Sequence, residues 1–153
     1  FPVKNAFQKS RKGQSDGFVA KIEPDGKALA YSSFLGGASY DLAFAIAVDG
    51  GGTAYVTGFT KSGNFPVKSP LQKDLRGSED CFLTAVDPTG IKLKSSTYWG
   101  GMYKDRAYGI ALDAKGGVYL AGQTNSPDFP VLGPYQSALA GNEDVFVLKF
   151  LKK

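Results

Sequence analysis

The chain has 153 residues with a formal net charge of +4, and 42% of its residues are hydrophobic and 21% charged, which excludes a disordered tail. It contains no His and a single Cys, so the sequence excludes an intramolecular disulfide, a Cys/His zinc site and a Ser-His or Cys-His catalytic pair. Its 20 Gly residues and its 13% aromatic content favour turns and strands, and we therefore expect an all-β protein.

Positive residues are scattered along the chain and do not form a stripe with interleaved aromatics, so the sequence predicts no nucleic-acid partner. No apolar run approaches the ~18 to 20 residues of a membrane span, and no cofactor motif is present. The chain starts at Phe1 without a Met or a leader, which we interpret as the mark of a mature or excised piece.

A Phe-Pro-Val motif begins at Phe1, Phe65 and Phe129, with an offset of 64 residues both times. Laying residues 1–64 over 65–128 without a gap gives 25 identities. We therefore read residues 1–153 as one segment of about 2.4 repeats, with units 1–64 and 65–128 and a partial unit 129–153.

Along the chain, the units predict antiparallel strands in groups of two, four and three, joined by Gly-containing hairpin turns. The groups are two strands within 18–34, four within 43–99 and three within 107–151. No window shows sustained helical periodicity, although the connections at 70–76 and 134–140 are candidates for a short turn of helix.

The first strand of each unit, at 43–49 and 107–113, carries no polar residue between its ends. Large side chains (Phe44, Ile46, Val48) alternate with alanines, and we expect both faces to be buried between neighbouring sheets. Tyr108 belongs to the same large set. Four short strands in a repeated unit describe a β-propeller blade better than a sandwich, because a sandwich does not repeat its sequence.

The runs at 16–22, 31–37, 45–49 and 54–60, in this order, resemble the SBBP family of bacterial β-propeller repeats over essentially the whole chain. The resemblance implies a propeller blade in an extracellular or cell-surface protein, and the family has no shared catalytic residues to carry over. The loop after Gly-Gly, at 38–41 and 102–105, departs from the commoner acidic form of the family.

Closed propellers have about four to eight blades, so this chain cannot close alone. It is expected either to belong to a longer chain, which we prefer, or to assemble from several copies through its terminal half-blades. Its first partners would then be other propeller blades.

Acidic residues recur before the third strand (Asp16, Asp80, Asp144) and before the first (Asp41, Asp105). Because they repeat once per unit, we expect them to accept hydrogen bonds from loop amides and fix turns between blades. Asp41 and Asp105 are also the candidates for a calcium site, but no three acids lie close enough in sequence to complete one, so we predict no metal.

Two other features are weighed as binding or catalytic sites. The aromatics Tyr98, Trp99 and Tyr103 are candidates for binding a partner, for example by stacking on sugars. Residues 13–17 spell G-x-S-x-G, which lacks the His base of a nucleophile elbow.

The sequence thus predicts a non-catalytic extracellular scaffold or protein-interaction module. Two alternatives stay open at this stage: a carbohydrate-binding propeller, and a self-assembling structural subunit.

Overall fold

The structure is a computed structural model that describes residues 1–151. It is all-β, and its strands follow the order that the repeat predicts. The strands are β1 (Gly17–Ile22), β2 (Leu29–Leu35), β3 (Asp41–Val48), β4 (Ala54–Thr60), β5 (Asp80–Val86), β6 (Leu93–Trp99), β7 (Asp105–Leu112), β8 (Val118–Thr124) and β9 (Asp144–Phe150).

The strands form three antiparallel sheets that are partial or complete propeller blades. The first is the two-stranded β1-β2, which we call blade 1; the second is β3-β4-β5-β6, blade 2; the third is β7-β8-β9, blade 3. Among the residues that the structure describes, blade 1 thus holds the third and fourth strands of the unit, and blade 3 holds the first three. This grouping into two, four and three strands confirms the fold class that the sequence predicts.

Tight turns connect the strands where Gly supplies a positive φ. Gly26 and Gly90 close the β1-β2 and β5-β6 hairpins at φ 71° and 76°. In the β3-β4 hairpin, the carboxylate of Asp49 accepts hydrogen bonds from the amides of Gly51 and Thr53, and Asp113 does the same in the next unit. A carboxylate that returns to turn amides holds the chain reversal in place.

No helix is found among residues 1–151, so the short helical turns expected at 70–76 and 134–140 are wrong. In the second unit, Lys68 and Gln72 form β-bridges with Ser96 and Tyr98 of β6. The backbone there is extended because its hydrogen-bonding groups pair with the outer edge of the blade. We call the segments 1–8, 65–72 and 129–136 the straps.

The hydrophobic core lies between blades. One cluster joins blades 1 and 2, and a second joins blades 2 and 3. The first contains Val19, Tyr31, Leu35, Ala54, Val56, Phe65, Phe82, Val86 and Tyr98. The second contains Tyr55, Cys81, Leu83, Ala85, Ala107, Val118, Leu120 and Phe146. Each sheet is therefore stabilised by its neighbour, as in other repeat architectures.

The prediction that β3 is buried on both faces is wrong in this chain. Ile46 and Val48 are exposed, whereas the corresponding Ile110 and Leu112 of β7 pack against the second core cluster. The difference arises because blade 2 lies before β7, while blade 1 lacks the two strands that would lie before β3.

Phe44 and Tyr108 are exposed for a different reason. Each lies at the register shift of a β-bulge, and the two rings stack on each other with centroids 5.3 Å apart. A bulge turns a side chain away from the face it would otherwise join. Tyr108 is therefore not in the buried set to which the sequence pattern assigns it.

Within the described residues, no helix has the length and apolar character needed to cross a membrane.

Candidate functional site

The Asp before each third strand closes the loop that leads into the strand. Asp80 accepts hydrogen bonds from the amides of Arg76 and Gly77 and from the side-chain amide of Gln72, at 2.7 to 3.1 Å. Asp16 makes the corresponding three bonds in the first unit, and Asp144 accepts from Gln136 and Ala140 in the third. These contacts are the structural role that the sequence predicts for this set.

The Asp before each first strand is buried and joins two loops. Asp41 accepts hydrogen bonds from the hydroxyls of Thr60 and Ser62 and from the amide of Gly37. Burial raises the pKa of Asp41 above its ordinary value, although these three donors oppose the rise. In the next unit, one carboxylate oxygen of Asp105 accepts from the amide of Gly101 and the hydroxyl of Ser126, and burial raises the pKa of Asp105 too.

Both oxygens of Asp41 and one oxygen of Asp105 thus accept from hydroxyl or amide donors, and each carboxylate also has one other Asp near it, Asp16 beside Asp41 and Asp80 beside Asp105. Within the part of the chain that the structure describes, no three His, Cys, Asp or Glu side chains come together as metal ligands. The geometry gives these two carboxylates a part in holding loops, and Thr60 and Ser62 are partners that sequence reasoning did not identify. Both recur in the next unit, as Thr124 and Ser126, which is the signal that was available.

An ion cluster also links blades 2 and 3. Glu79 is 1% exposed and lies within 3.0 Å of the amino group of Lys61 and within 2.5 Å of the guanidinium of Arg106, which belongs to β7. Burial alone would raise the pKa of Glu79, but the hydrogen bonds and charges of Arg106 and Lys61 outweigh it and hold the pKa below its ordinary value. The cluster ties the loop before β5 to the next blade.

The three candidate aromatics are not brought together as one binding surface. Tyr98 is fully buried; its hydroxyl donates to the carbonyl of Ser62 and accepts from the amide of Phe65. Tyr98 therefore cannot contact a partner, and as a surface candidate it is wrong. Trp99, its neighbour on the strand, is half-buried and packs edge-on against Phe150 of blade 3.

Tyr103 is exposed, with 52% of its surface accessible, and lies in the loop between β6 and β7. Of the three, it alone is an exposed residue. Tyr98 and Trp99 differ from each other because successive residues on a strand point to opposite faces of the sheet. Tyr98 therefore enters the first core cluster, and Trp99 packs against the second.

The Phe of the Phe-Pro-Val motif packs against its own blade, a role that the sequence analysis did not predict. The Phe that opens each unit stacks on the Phe of the third strand: Phe65 on Phe82 with centroids 4.6 Å apart, and Phe129 on Phe146 at 4.7 Å. Phe1 makes the same contact with Phe18 at 4.8 Å. The motif therefore anchors the start of each strap to its blade.

The two end faces of the chain differ sharply from the same faces inside it. Phe82 of blade 2 is 1% exposed because blade 1 covers it, whereas Phe18 of blade 1 is 58% exposed. At the other end, Leu83 is 8% exposed beneath blade 3, whereas the corresponding Val147 is 72% exposed. Each end presents an apolar surface that a neighbouring blade covers elsewhere in the same molecule.

Comparison with known proteins agrees with this geometry. Residues 96–130 match the family model described as SBBP, beta-propeller repeat. These residues are therefore similar to an SBBP repeat. None of the curated proteins matches it.

The matched SBBP region begins within β6, runs through β7 and β8, and ends where the third strap starts. It therefore crosses from one blade into the next. The same sequence pattern recurs 64 residues earlier in the chain, where β2, β3 and β4 stand in the places of β6, β7 and β8.

Proposed function

We propose that this chain is a non-catalytic scaffold and interaction segment of an extracellular β-propeller, and that its two end faces bind further propeller blades. The observation that carries the proposal is the contrast between covered and uncovered copies of the same face. Phe82 and Leu83 are buried by neighbouring blades, and their counterparts Phe18 and Val147 are exposed.

Apolar surface stabilises a protein when it is removed from water, by about 25 cal/mol for each Å² that is buried. Contiguous exposed apolar patches mark interaction sites on proteins. Each end face carries a second exposed apolar side chain. On blade 3, Val145 is exposed together with Val147, and on blade 1, Ile22 is exposed together with Phe18. Blades of the same chain, or of a second copy, are the partners whose shape these faces already fit.

A non-catalytic role is supported by where the acidic groups lie. The five repeated aspartates hold loop amides and hydroxyls, and Glu79 is paired with Lys61 and Arg106. The absence of His from the sequence removes the usual general base. The extracellular setting rests on the resemblance of the whole chain to SBBP repeats.

Self-assembly is the second candidate, because one chain carries both kinds of end face. The face of blade 1 corresponds to one that a preceding blade covers, and the face of blade 3 corresponds to one that a following blade covers. Copies could therefore stack end to end. Light scattering over a dilution series separates the two candidates. A mass that rises with concentration, and that Val147→Asp abolishes while Leu71→Asp does not, would favour self-assembly; both residues are exposed, but Leu71 lies on a strap.

The test of the scaffold proposal is a lengthened chain in which a second copy of residues 65–128 follows residue 128. The added blade would cover the face of blade 2 and be covered by blade 3, so the free energy of unfolding should rise by several kcal/mol. The slope of the unfolding free energy against denaturant concentration should also rise, because the surface of the added blade becomes exposed in the same transition.

Unchanged unfolding of the original part, with the added unit melting separately at lower denaturant, would contradict the proposal. It would mean that the faces do not stack on further blades. A lengthened chain whose inserted copy carries Leu83→Asp is the matched control, and it should lose most of the gain.

A further inference from the structure

An exposed aromatic pair lies on the first strands of blades 2 and 3. Phe44 of β3 and Tyr108 of β7 stack with their ring centroids 5.3 Å apart, and both are exposed. A bulge at the same register in the two strands turns these side chains away from the sheet packing. Bulges are common next to active sites because they redirect a side chain. The chain therefore builds the same exposed ring twice, once in each unit.

The exposure of this pair does not depend on a blade that precedes the strand. Phe44 is 44% exposed, and Tyr108, which has the four-stranded blade 2 before it, is 43% exposed. Two residues further along the same strands the outcome differs, since Ile46 is exposed whereas Ile110 packs against the second core cluster. A preceding blade thus covers the later position and leaves the rings open to solvent.

Two cations lie beside the rings and are held by one buried carboxylate. The amino group of Lys61 and the guanidinium of Arg106 bind different oxygens of Glu79, at 3.0 and 2.5 Å. The hydroxyl of Tyr108 lies close to the same guanidinium. The carboxylate therefore fixes both cations next to the exposed rings.

Aromatic rings lie on both sides of this pair of cations. On one side, the guanidinium lies 4.9 Å from the centre of the Phe59 ring, and Phe59 contacts Phe44 with centroids 5.7 Å apart. On the other side, the amino group of Lys61 lies 5.8 Å from the centre of the exposed Tyr40 ring. We call this surface the ring-cation patch; it consists of Tyr40, Phe44, Lys61, Arg106 and Tyr108.

The patch carries more positive than negative charge. Glu79 is 1% exposed and balances one of the two cations, whose side chains are 40% and 30% exposed. Lys104, which is exposed, lies next to Glu79 through a backbone β-bridge and adds a third positive group. An ammonium has three donors and a guanidinium has five, so both keep donors for a ligand. Because they are already held in place, an anion that binds them loses little free energy in ordering them.

Rings beside fixed cations suit a ligand that has an apolar face and a carboxylate on the same ring. A uronic acid has both, since the C–H groups of its pyranose ring stack on aromatic side chains and its carboxylate accepts charge-assisted hydrogen bonds. Rings lie on both sides of the cations, so consecutive sugars of one chain can contact successive rings. A neutral sugar leaves the cations unused, and an inorganic anion leaves the rings unused.

We propose that the ring-cation patch binds an acidic polysaccharide of the uronate class, with sugar rings on the exposed aromatics and a carboxylate on Lys61 and Arg106. The inference goes beyond the proposed scaffold function, because it assigns a ligand to the interface between blades 2 and 3. The end faces of the chain take no part in it.

The probe is a pentamer of galacturonic acid, titrated into the whole chain in a calorimeter. We expect saturable binding of one oligomer per chain at low salt, and weaker binding at high salt because both cations are partly exposed. The methyl ester of the same oligomer keeps the sugar rings and loses the charges, so it should bind about tenfold more weakly. Equal binding of acid and ester, or no saturable binding, would overturn the proposal.

Two matched pairs of variants locate the site. Tyr108→Ala removes a ring of the patch and should lower the affinity about tenfold, whereas Tyr135→Ala, on the exposed third strap, should leave it unchanged. Lys61→Ala should lower the affinity about fivefold, whereas Lys115→Ala, in the exposed turn between β7 and β8, should not. Equal affinities within either pair would place the oligomer elsewhere and refute the assignment.

Both site variants should keep the fold, which thermal unfolding checks. Tyr108 is an exposed side chain, and Glu79 retains its bond to Arg106 when Lys61 is replaced. A lower affinity in a variant that melts like the wild type is therefore a loss of ligand contacts.

A thymidine oligonucleotide of matching charge separates the sugar from polyanions in general. Bases also stack on aromatic rings beside cations. If the oligonucleotide binds as tightly as the galacturonate pentamer, the patch has no preference for uronates and the assigned ligand is wrong.

This experiment is independent of the test by chain lengthening, which probes the end faces. If the lengthened chain gains stability and galacturonate does not bind, only the ligand proposal fails. If galacturonate binds and the lengthened chain gains nothing, the scaffold proposal fails and the patch is a glycan site in its own right.

Discussion

Replacing Tyr98 with Phe removes one buried hydroxyl and leaves the ring in the first core cluster. That hydroxyl donates to the carbonyl of Ser62 at 2.6 Å and accepts from the amide of Phe65 at 2.9 Å. The amide of Phe65 also donates to the carbonyl of Ser62 at 3.1 Å, so neither backbone group is left wholly unpaired. The loss in unfolding free energy should therefore be about 1 kcal/mol, at the low end of the cost of a buried hydrogen bond.

The same hydroxyl gives the loss a pH dependence. Burial raises the pKa of Tyr98 from its usual 10.0 to about 12. A raised pKa means that the neutral form stabilises the folded protein, and this contribution is complete below pH 10 and is lost as the pH rises toward 12. Near pH 11 the wild type should have lost about 1.4 kcal/mol through this group, and the Phe variant loses nothing through it.

Urea unfolding of both proteins at neutral pH and near pH 11 measures the effect. The difference of about 1 kcal/mol should shrink to near zero or change sign, because the other titrating groups are common to both proteins. Tyr103→Phe is the control for removing a tyrosine hydroxyl, since Tyr103 is exposed and its change should leave the stability at neutral pH unaltered. A Tyr98→Phe difference that stays constant between the two pH values would refute the reasoning.

Three further results are expected from the geometry. Gly58→Ala should destabilise the fold by about 2 kcal/mol or more, because the added Cβ would lie 1.8 Å from the carbonyl oxygen of Leu42, whereas Gly63→Ala, with no atom within 4 Å, should be nearly neutral in thermal unfolding. Glu79→Gln should cost about 2 kcal/mol at neutral pH; since the native pKa lies below the usual 4.5, the difference should fade as the pH is lowered through and below that value, and a difference that persists in acid would contradict the ion cluster. Cys81 should react with a thiol reagent only on unfolding, because it is fully buried and burial raises its pKa; rapid labelling of the native protein would disprove its position.

Much of the fold follows from local pattern and repetition. The nine strands, their order in three sheets and the Gly turns at 26, 52, 90 and 116 are readable because strand alternation and turn chemistry act over a few residues. The roles of the aspartates are readable for the same reason: the carboxylate, the turn amides and the strand start lie within a few residues of one another. The repeat supplied a second and a third copy of each signal.

The site could be predicted only in part. Tyr98 and Trp99 are both aromatic at the end of a strand, and nothing in their neighbours in sequence distinguishes the one that is fully buried. The contacts that decide it, from Ser62 and Phe65 to the hydroxyl, come from residues more than 30 positions away.

The amino-acid sequence by itself determined where the strands and turns lie and that the units repeat, because these properties depend on the residues' own backbone preferences and on alternation along one strand. Tertiary structure alone decided which faces are buried. Ile46 and Ile110 are identical residues at the same place in their units, yet only Ile110 packs against a core cluster. Burial is a property of the neighbouring blade rather than of the strand, since apolar surface is stabilised only when another surface removes it from water.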